Sequence, residues 1–348
     1  MKILITGNLG YVGPGLVKEL RQHHPNAQII GYDLGFFAKY ITSQHISPDC
    51  RLDVQYYGDV RELTKEFLRD VDTVISLAAI SNDPIGNKFE QATLDINFNA
   101  NIAIAKLAKE QGVKKFIFAS SCSVYGAAED APRTENSSLN PLTAYAKSKV
   151  YSEEALEGLA DAGFMVTCLR FATACGMSDR LRLDLVLNDF VAGAITSKEI
   201  TILSDGSPWR PLINVQDMAR AIRWAHERTS SNGGNFLVLN TGANEWNHQV
   251  KDLAYAVQEI VGDIEVSINE NAEPDKRSYR VNFDLFRQLA PDHQPINDLK
   301  SSILGLVNGL TAIQFNDAKF RQSELMRLNV VKKLLDGKEI DTNLKLLV

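Results

Sequence analysis

Short apolar runs alternate with longer amphipathic stretches through the first half of the chain. Runs of this length that are rich in Ile, Val and Phe are typical of buried strands, and the stretches between them have helical periodicity. Strands that alternate with helices favour a parallel sheet with helices on both faces. We therefore predict an α/β fold with strands at residues 2–6, 28–32, 73–77, 115–119 and 165–171.

The regular alternation weakens after residue 171. Ser-Asp-Gly-Ser-Pro at 204–208 and Ser-Ser-Asn-Gly-Gly at 230–234 are sequences typical of turns. We therefore predict one domain at residues 1–171 and a smaller C-terminal α/β lobe that binds substrate, mainly within 172–348. Parts of 205–245 are candidates to return to the first domain, and we expect mixed amphipathic helices over 301–348.

Three glycines follow the first predicted strand, and a helical pattern starts directly after them. Glycine leaves room for a pyrophosphate against the backbone, and a helix N-terminus supplies amide donors and a positive dipole. A tight glycine-rich turn is the simpler explanation, but the position straight after an N-terminal strand favours a dinucleotide. We predict a Rossmann-type doubly wound sheet whose diphosphate loop consists of Gly7, Asn8, Leu9, Gly10, Tyr11, Val12 and Gly13.

An acidic residue ends the second predicted strand. Asp33 lies twenty positions beyond Gly13, where a carboxylate can accept hydrogen bonds from both hydroxyls of an adenosine ribose. The same carboxylate would repel a 2′-phosphate, so we predict NAD and not NADP as the cofactor. A turn-initiating Asp before Gly35 is the alternative explanation.

A tyrosine and a lysine stand four positions apart in a segment with helical periodicity. Tyr145 and Lys149 would therefore project from one face of a helix. Taken alone, this pair is more often a feature of a surface helix. However, the predicted strand at 115–119 delivers a serine-rich stretch, residues 120–126, to the carboxyl edge of the sheet, where such folds bind ligands. We therefore predict that the serines, the tyrosine and the lysine share one site.

Several motifs, taken in their order along the chain, resemble those of the extended short-chain dehydrogenase/reductase family. Within that family they resemble the motifs of the NAD-dependent epimerases and dehydratases that modify nucleotide sugars. The set comprises the glycine loop, Asp33, Asp59, Leu77-Ala78-Ala79, Ser-Ser-x-x-Val-Tyr-Gly and Tyr-x-x-x-Lys, and it covers at least residues 1–290. The resemblance implies that Tyr145 is the acid/base, Lys149 its electrostatic partner and Ser121 the group that orients substrate. It further implies cofactor contacts from Asp59, Val60, Leu77, Ala78, Ala79, Asn97, Tyr145 and Lys149.

This triad is physically suited to hydride transfer. Hydride removal from a carbinol carbon leaves a proton that a base must accept near neutral pH, and the pKa of a free tyrosine, about 10, is too high for that task. The Lys149 ammonium and a nicotinamide cation both favour the phenolate. We therefore expect a lowered pKa at Tyr145.

Arginines in the second half of the chain match family elements that hold a sugar nucleotide. The resemblance assigns diphosphate contacts to Arg210 and Arg277, and it places residues 180–189 along the nucleotide pocket. Each arginine alone is more often a solvated surface residue, but the planar guanidinium suits phosphate well. The predicted substrate-binding residues are Ser81, Asn82, Ser121, Cys122, Ser123, Arg180, Arg182, Asn188, Arg210 and Arg277.

The favoured reaction is hydride transfer at carbon 4 of a nucleoside-diphosphate sugar, with a 4-keto intermediate or product. Dehydratases of the family usually carry Asp-Glu directly after the catalytic Ser/Thr, and this chain has Cys122 and Ser123 there. Cys122 is either a weak acid at an epimerising carbon or, more often for a free cysteine, a buried thiol. A 4-keto sugar nucleotide reductase, a dehydratase and a catalytically silent NAD-binding scaffold remain alternatives.

The charge and composition of the chain limit the kinds of ligand and partner that it is expected to bind. The 37 Lys and Arg against 43 Asp and Glu give a net charge of −6, so the chain as a whole does not attract nucleic acid or an anionic membrane. Four cysteines without a C-x-x-C motif and six histidines without ligand spacing predict neither a disulfide framework nor a metal site, which suits a cytoplasmic protein. The family resemblance implies a homodimer built through residues 90–111 and 142–160.

Overall fold

The computed structural model describes residues 1–43, 46–81, 83–127, 131–269, 271–272 and 278–347. Within these residues the strands are β1 (Lys2–Thr6), β2 (Gln28–Asp33), β3 (Val54–Tyr57), β4 (Thr73–Ser76), β5 (Lys115–Ser121), β6 (Met165–Phe171), β7 (Thr173–Cys175), β8 (Glu199–Ile202), β9 (Trp209–Asn214), β10 (Phe236–Thr241), β11 (Asn247–Gln249) and β12 (Glu265–Ile268). The α-helices are α1 (Gly13–His23), α2 (Asp83–Lys88), α3 (Glu90–Leu94), α4 (Asn101–Glu110), α5 (Ala144–Glu157), α6 (Val186–Thr196), α7 (Val215–Glu227), α8 (Val250–Val261), α9 (Asp284–Leu289), α10 (Leu299–Ala312) and α11 (Arg327–Asp336).

Seven parallel strands form the main sheet in the order β10-β6-β5-β4-β1-β2-β3. The predicted α/β, Rossmann-type fold is therefore confirmed. All five predicted strands are present, and β5 continues two residues further than predicted, to Ser121. Every residue of β6 is buried, as expected for a parallel strand that is covered by helices on both faces.

The second half of the chain contributes to the main sheet as well as to a separate lobe. Strand β10 pairs with β6 at the edge of the main sheet, and α7 packs beside α1 on one of its faces. The remaining strands of this half form two small sheets, β11-β9-β7 and β12-β8. Helices α6 and α8 pack against these strands, and α10 packs against the two helices. A division of the chain at residue 171 remains a prediction.

The helical segment predicted at 90–111 is divided in the structure. Helix α3 leads into a π-helical turn, Asp95–Ala100, before α4 continues to Glu110. Gly112 follows with a positive φ of 79°, a backbone conformation that glycine adopts without the steric cost of a Cβ atom. Helices α10 and α11 occupy the region where mixed amphipathic helices are predicted.

None of the helices in the described part of the chain is both long enough and apolar enough to span a membrane. Those residues also contain no group of three or more His, Cys, Asp or Glu side chains that could hold a metal ion. Of the four free cysteines, only Cys50 is exposed.

Two glycines allow a test of how backbone conformation contributes to stability. A Cβ atom at Gly112 or Gly305 would meet nothing within 4 Å, so only the backbone distinguishes the two substitutions. We expect Gly112→Ala to lower the free energy of unfolding by about 1 kcal/mol, because φ is positive there. We expect Gly305→Ala, inside α10, to raise it by about 0.5–1 kcal/mol, because alanine has the higher helix propensity. Urea unfolding measures both, and equal effects would contradict the assignment.

Candidate functional site

The register of the parallel sheet brings the ends of β1 and β4 level, and β5 continues three residues beyond them. Thr6 of β1 is level with Ser76 of β4, and Ser76 is level with Phe118 of β5. The loops that follow these strands therefore open on the same edge, where they line a cavity of about 1040 Å³. This is the carboxyl edge, at which doubly wound sheets bind their ligands.

Close contacts with neighbouring backbone explain why the first and last positions of the loop after β1, Gly7 and Gly13, are glycine. A Cβ atom on Gly7 would lie 2.4 Å from the backbone nitrogen of Ala78, and one on Gly13 would lie 1.9 Å from the carbonyl oxygen of Asn8. Helix α1 begins at Gly13 with no capping side chain and no acidic residue in its first turn. The loop therefore places an uncapped helix N-terminus beside the cavity, and this arrangement fits a diphosphate group.

Asp33, the last residue of β2, is hydrogen-bonded to the glycine loop. One carboxylate oxygen of Asp33 accepts a hydrogen bond from the Leu9 amide at 3.1 Å, and the other accepts one from the Gly35 amide at 2.7 Å. Burial raises the pKa of Asp33, which the two amide hydrogen bonds oppose. The carboxylate lines the cavity next to Asp59 and Val60, so these residues fit the adenosine half of NAD.

The predicted cofactor residues fall into two groups. Those that line the cavity are Gly7, Gly10, Tyr11, Val12, Asp33, Asp59, Val60, Leu77, Ala78, Ala79, Tyr145 and Lys149. The remaining four, Asn8, Leu9, Gly13 and Asn97, do not belong to the described wall of the cavity.

Asn97 lies behind the wall of the cavity, where its side chain links two segments by hydrogen bonds. Its side-chain oxygen accepts a hydrogen bond from the Ile80 amide at 2.7 Å, and its side-chain nitrogen donates to the Ile80 carbonyl at 3.0 Å and to the Ser148 hydroxyl at 3.3 Å. It therefore ties the segment after β4 to the helix that carries the predicted catalytic pair.

The three predicted catalytic residues come together in the cavity. Helix α5 starts beside Thr143, whose hydroxyl accepts a hydrogen bond from the Ala146 amide at 3.2 Å. Tyr145 at the start of this helix and Ser121 at the end of β5 both line the cavity, and Ser121 lowers the pKa of the tyrosine. Lys149 lies one turn further along α5, with its Nζ atom 5.4 Å from the centroid of the Tyr145 ring.

Lys149 is held against β5. Its Nζ atom donates a hydrogen bond to the carbonyl of Ala119 at 2.6 Å and lies 4.5 Å from the centroid of the Phe118 ring. Burial lowers the pKa of Lys149 to about 7, and the carboxylate of Glu153, one turn along α5, acts in the opposite direction. Glu153 itself forms a buried ion pair of 2.6 Å with Arg170.

The electrostatics of Tyr145 differ from the sequence-based expectation for the protein alone. Burial raises the pKa of Tyr145 to about 12, the Ser121 side chain lowers it, the negative charge of Asp83 raises it and the positive charge of Arg182 lowers it. The loss of hydration outweighs the groups that lower the pKa. A cationic ligand next to the phenol would add to the downward effect.

Some of the predicted substrate-binding residues line the cavity, and others do not. Ser81, Ser121, Ser123, Arg182 and Arg210 line the cavity. Arg182 is held in place by Asp184 at 2.7 Å and donates to the Ser81 hydroxyl at 2.9 Å. Asn82 and Arg277 lie outside the described residues.

Three predicted substrate residues are placed away from the described cavity wall. Cys122 is fully buried, its Sγ atom donates to the Arg170 carbonyl at 3.0 Å, and burial raises the pKa of its thiol. Arg180 is fully buried in an ion pair of 2.8 Å with Asp49. Asn188 is buried as well, where its side-chain oxygen accepts from the Gly176 amide at 2.9 Å. These side chains lie behind the described cavity wall, and their contact with substrate stays a prediction.

Several cavity residues carry no local sequence signal. They include Phe36, Phe37, Arg321, Arg327 and Asn329. Three of them come from the C-terminal region, more than 300 residues from the glycine loop in the sequence. Only the tertiary structure brings them to the site.

The pKa of Tyr145 can be measured directly. In the ligand-free protein we expect Tyr145 to remain protonated at about pH 10, because burial disfavours the phenolate. Added NAD⁺ should lower this pKa, since a cationic ring beside the phenol favours its ionised form. The tyrosinate absorbance of the wild type minus that of Tyr145→Phe, recorded against pH with and without NAD⁺, reports this group alone. An unchanged difference titration after NAD⁺ saturation would contradict the assigned role.

Known proteins resemble this chain in sequence. It is 29% identical over 230 residues, 64% of this chain and 71% of the relative, to an uncharacterized UDP-glucose epimerase of Bacillus subtilis (strain 168). It is 25% identical over 320 residues, 88% of this chain and 97% of the relative, to a putative UDP-glucose 4-epimerase of Methanocaldococcus jannaschii.

Solved structures share the fold. The UDP-glucose 4-epimerase of Thermotoga maritima with UDP-glucose superposes with a TM-score of 0.76 at 23% identity, covering 90% of this chain and 100% of that one. The UDP-glucose 4-epimerase of Bifidobacterium longum with NAD⁺ and UDP gives a TM-score of 0.75 at 20% identity, covering 90% and 98%.

The family model of NAD dependent epimerases and dehydratases matches residues 3–240. This match confirms the predicted enzyme class and the predicted NAD cofactor. The chain therefore belongs to the NAD dependent epimerase/dehydratase family.

Proposed function

We propose that the protein is a nucleotide-sugar 4-epimerase that oxidises carbon 4 of a nucleoside-diphosphate hexose and reduces it again from the opposite face. The observation that carries the proposal is the placement of Ser121, Tyr145 and Lys149 in one cavity with the glycine loop. The relatives named as UDP-glucose epimerases support a UDP-hexose as the substrate.

The chain's own residues supply the proton chemistry. Tyr145 accepts the proton of the 4-hydroxyl as the C4–H bond gives up hydride and the C4=O bond forms. Bound NAD⁺ supplies the hydride acceptor and a positive charge. Ser121 orients the sugar oxygen, and protonated Lys149 stabilises the phenolate. When hydride returns to the other face of C4, Tyr145 gives the proton back, so the reaction has no net oxidation.

The geometry supports epimerisation more than dehydration. Dehydration needs a separate acid and base for the loss of water, and the two residues after Ser121 are a cysteine and a serine. Cys122 is buried beneath the cavity wall, with a pKa that burial raises, so it is unsuited to proton transfer with substrate. Tyr145 therefore has to serve both half-reactions.

We also propose that Arg210 and Arg182 face the sugar nucleotide. Both line the cavity, and burial places Arg182 in a low-dielectric region, where a guanidinium binds phosphate strongly. Arg277 belongs to the same proposal through the family resemblance.

A cytoplasmic homodimer is part of the proposal. Tyr151 on α5 is half-exposed and packs edge-to-face against Phe98 at 5.8 Å, on the helices that the family resemblance assigns to dimerisation. Burial of this aromatic pair against a second copy would remove apolar surface from water. The free state of all four cysteines is compatible with a reducing compartment.

The chemistry is tested with UDP-glucose and UDP-galactose. We expect interconversion without net NADH formation in the wild type, and a loss of about 10²–10⁴-fold in Tyr145→Phe, because the acid/base is removed. Cys122→Ser is the matched control and should retain the rate, since its side chain lies outside the cavity wall. Chromatographic separation of the two sugar nucleotides measures both. Net NADH formation would indicate a dehydrogenase, and full activity of Tyr145→Phe would overturn the mechanism.

Recognition of the substrate diphosphate is tested separately. Arg210→Ala should raise KM for the sugar nucleotide by about tenfold to a hundredfold, because a charge-assisted contact to phosphate is lost. Arg287→Ala is the control, since this exposed arginine on α9 pairs with Asp284 on the surface. Initial rates against UDP-hexose concentration distinguish the two variants. An unchanged KM in Arg210→Ala would contradict the assignment.

A further inference from the structure

The C-terminal segment, defined here as residues 320–347, connects the two halves of the molecule across the cavity. On the lobe side, the Leu183 amide donates to the Leu325 carbonyl at 2.9 Å, and Arg321 pairs with Asp189 at 2.7 Å. On the sheet side, Val331 and Leu344 are fully buried in a hydrophobic core that includes residues of the main sheet. The segment therefore has to pass over the edge at which the strands end.

The segment is also fixed near the adenosine end of the site. The guanidinium of Arg61 donates hydrogen bonds to the carbonyls of Asn343 and Leu344 at 2.6 and 2.9 Å. The same guanidinium pairs with Asp59, which lines the cavity with Asp33. Residues 326–329, at the start of α11, complete this part of the cavity wall.

Arg327 is the charged residue that this stretch places in the wall. Only 4% of its surface is exposed, and its guanidinium lies 4.1 Å from the centroid of the Phe37 ring. The Nη2 atom donates a weak hydrogen bond to the Arg180 carbonyl at 3.3 Å. The Nη1 atom is buried and has no hydrogen-bond partner among the residues that the structure describes.

The neighbouring charged groups are already engaged. Asp184 receives two hydrogen bonds from Arg182, at 2.7 and 3.1 Å, and Asp33 receives those of the Leu9 and Gly35 amides. Arg180 pairs with Asp49. A buried guanidinium with a donor that no described residue accepts from is costly, and a bound anion would offset that cost.

The pKa of Arg327 also reflects its burial and its charged neighbours. Burial lowers the pKa of Arg327 to about 9, and the positive charge of Arg182 lowers it further, while Asp184 and Asp33 act in the opposite direction. Phe37, whose ring the guanidinium contacts, follows β2 and lines the cavity together with Asp33, so the guanidinium lies toward the dinucleotide side of the cavity.

We propose that Arg327 binds the diphosphate of the dinucleotide cofactor, opposite the glycine loop. A guanidinium with an unused donor suits a phosphate oxygen, and the uncapped N-terminus of α1 binds the same kind of group. The C-terminal segment thus contributes a cofactor-binding residue from outside the part of the chain that matches the family model. The inference rests on the dinucleotide site of the proposed function and is independent of the sugar substrate.

The test measures binding to protein freed of nucleotide, so it does not depend on turnover. Calorimetric titration with ADP-ribose, adenosine and UDP is compared among the wild type, Arg327→Met, Arg327→Lys and Lys333→Met. Lys333→Met is the control, since it removes an exposed charge from the same helix. We expect Arg327→Met to weaken ADP-ribose by about tenfold to a hundredfold, with adenosine and UDP within about twofold and Arg327→Lys intermediate.

Thermal unfolding of the ligand-free variants separates binding from structural support. The Tm of Arg327→Met should equal or exceed that of the wild type, because a buried charge with a donor that no described residue accepts from is removed. The proposal is overturned by unchanged ADP-ribose affinity, by equal losses for adenosine and ADP-ribose with a lower Tm, or by a loss confined to UDP. Intact ADP-ribose binding by a wild type that epimerises no UDP-hexose would instead reject the proposed reaction and leave this inference standing.

Discussion

The hydrogen bond from Lys149 to the Ala119 carbonyl joins the catalytic helix to the edge at which the parallel strands end. Because the parallel strands β1, β4 and β5 all end at this edge, one contact on β5 also sets the position of α5 relative to the glycine loop. Burial of the amine in this position lowers its pKa to about 7. The packing of α5 against β5 therefore determines both where the amine lies and how readily it is protonated.

The fold and the centre of the site could be predicted because their signals are local. Parallel strands covered on both faces require continuous apolar runs, and the Tyr145 and Lys149 pair lies on a single helical turn. The direction of Cys122 was not accessible in this way, because the chain turns into a short 3₁₀ helix directly after Ser121. That turn leaves the serine in the cavity wall and buries the neighbouring thiol.

Long-range contacts account for most of what the sequence did not reveal. Arg327 begins an amphipathic helix whose pattern gives no indication that its first residue reaches the cavity. Asn97 makes its hydrogen bond with Ile80 from the π-helical turn, Asp95–Ala100. This turn lies inside a segment that the sequence predicts as one continuous helix. Such turns are frequent at functional sites, yet residue composition does not mark their position.

The distribution of thiols makes the native chain selective toward alkylating reagents. Cys122, Cys168 and Cys175 are buried with raised thiol pKa values, whereas Cys50 is exposed. A maleimide fluorophore would therefore attach at a single position without any prior mutagenesis. Because residue 50 follows Asp49, whose carboxylate pairs with the buried Arg180, the dye would report on the surroundings of this ion pair without occupying the described cavity.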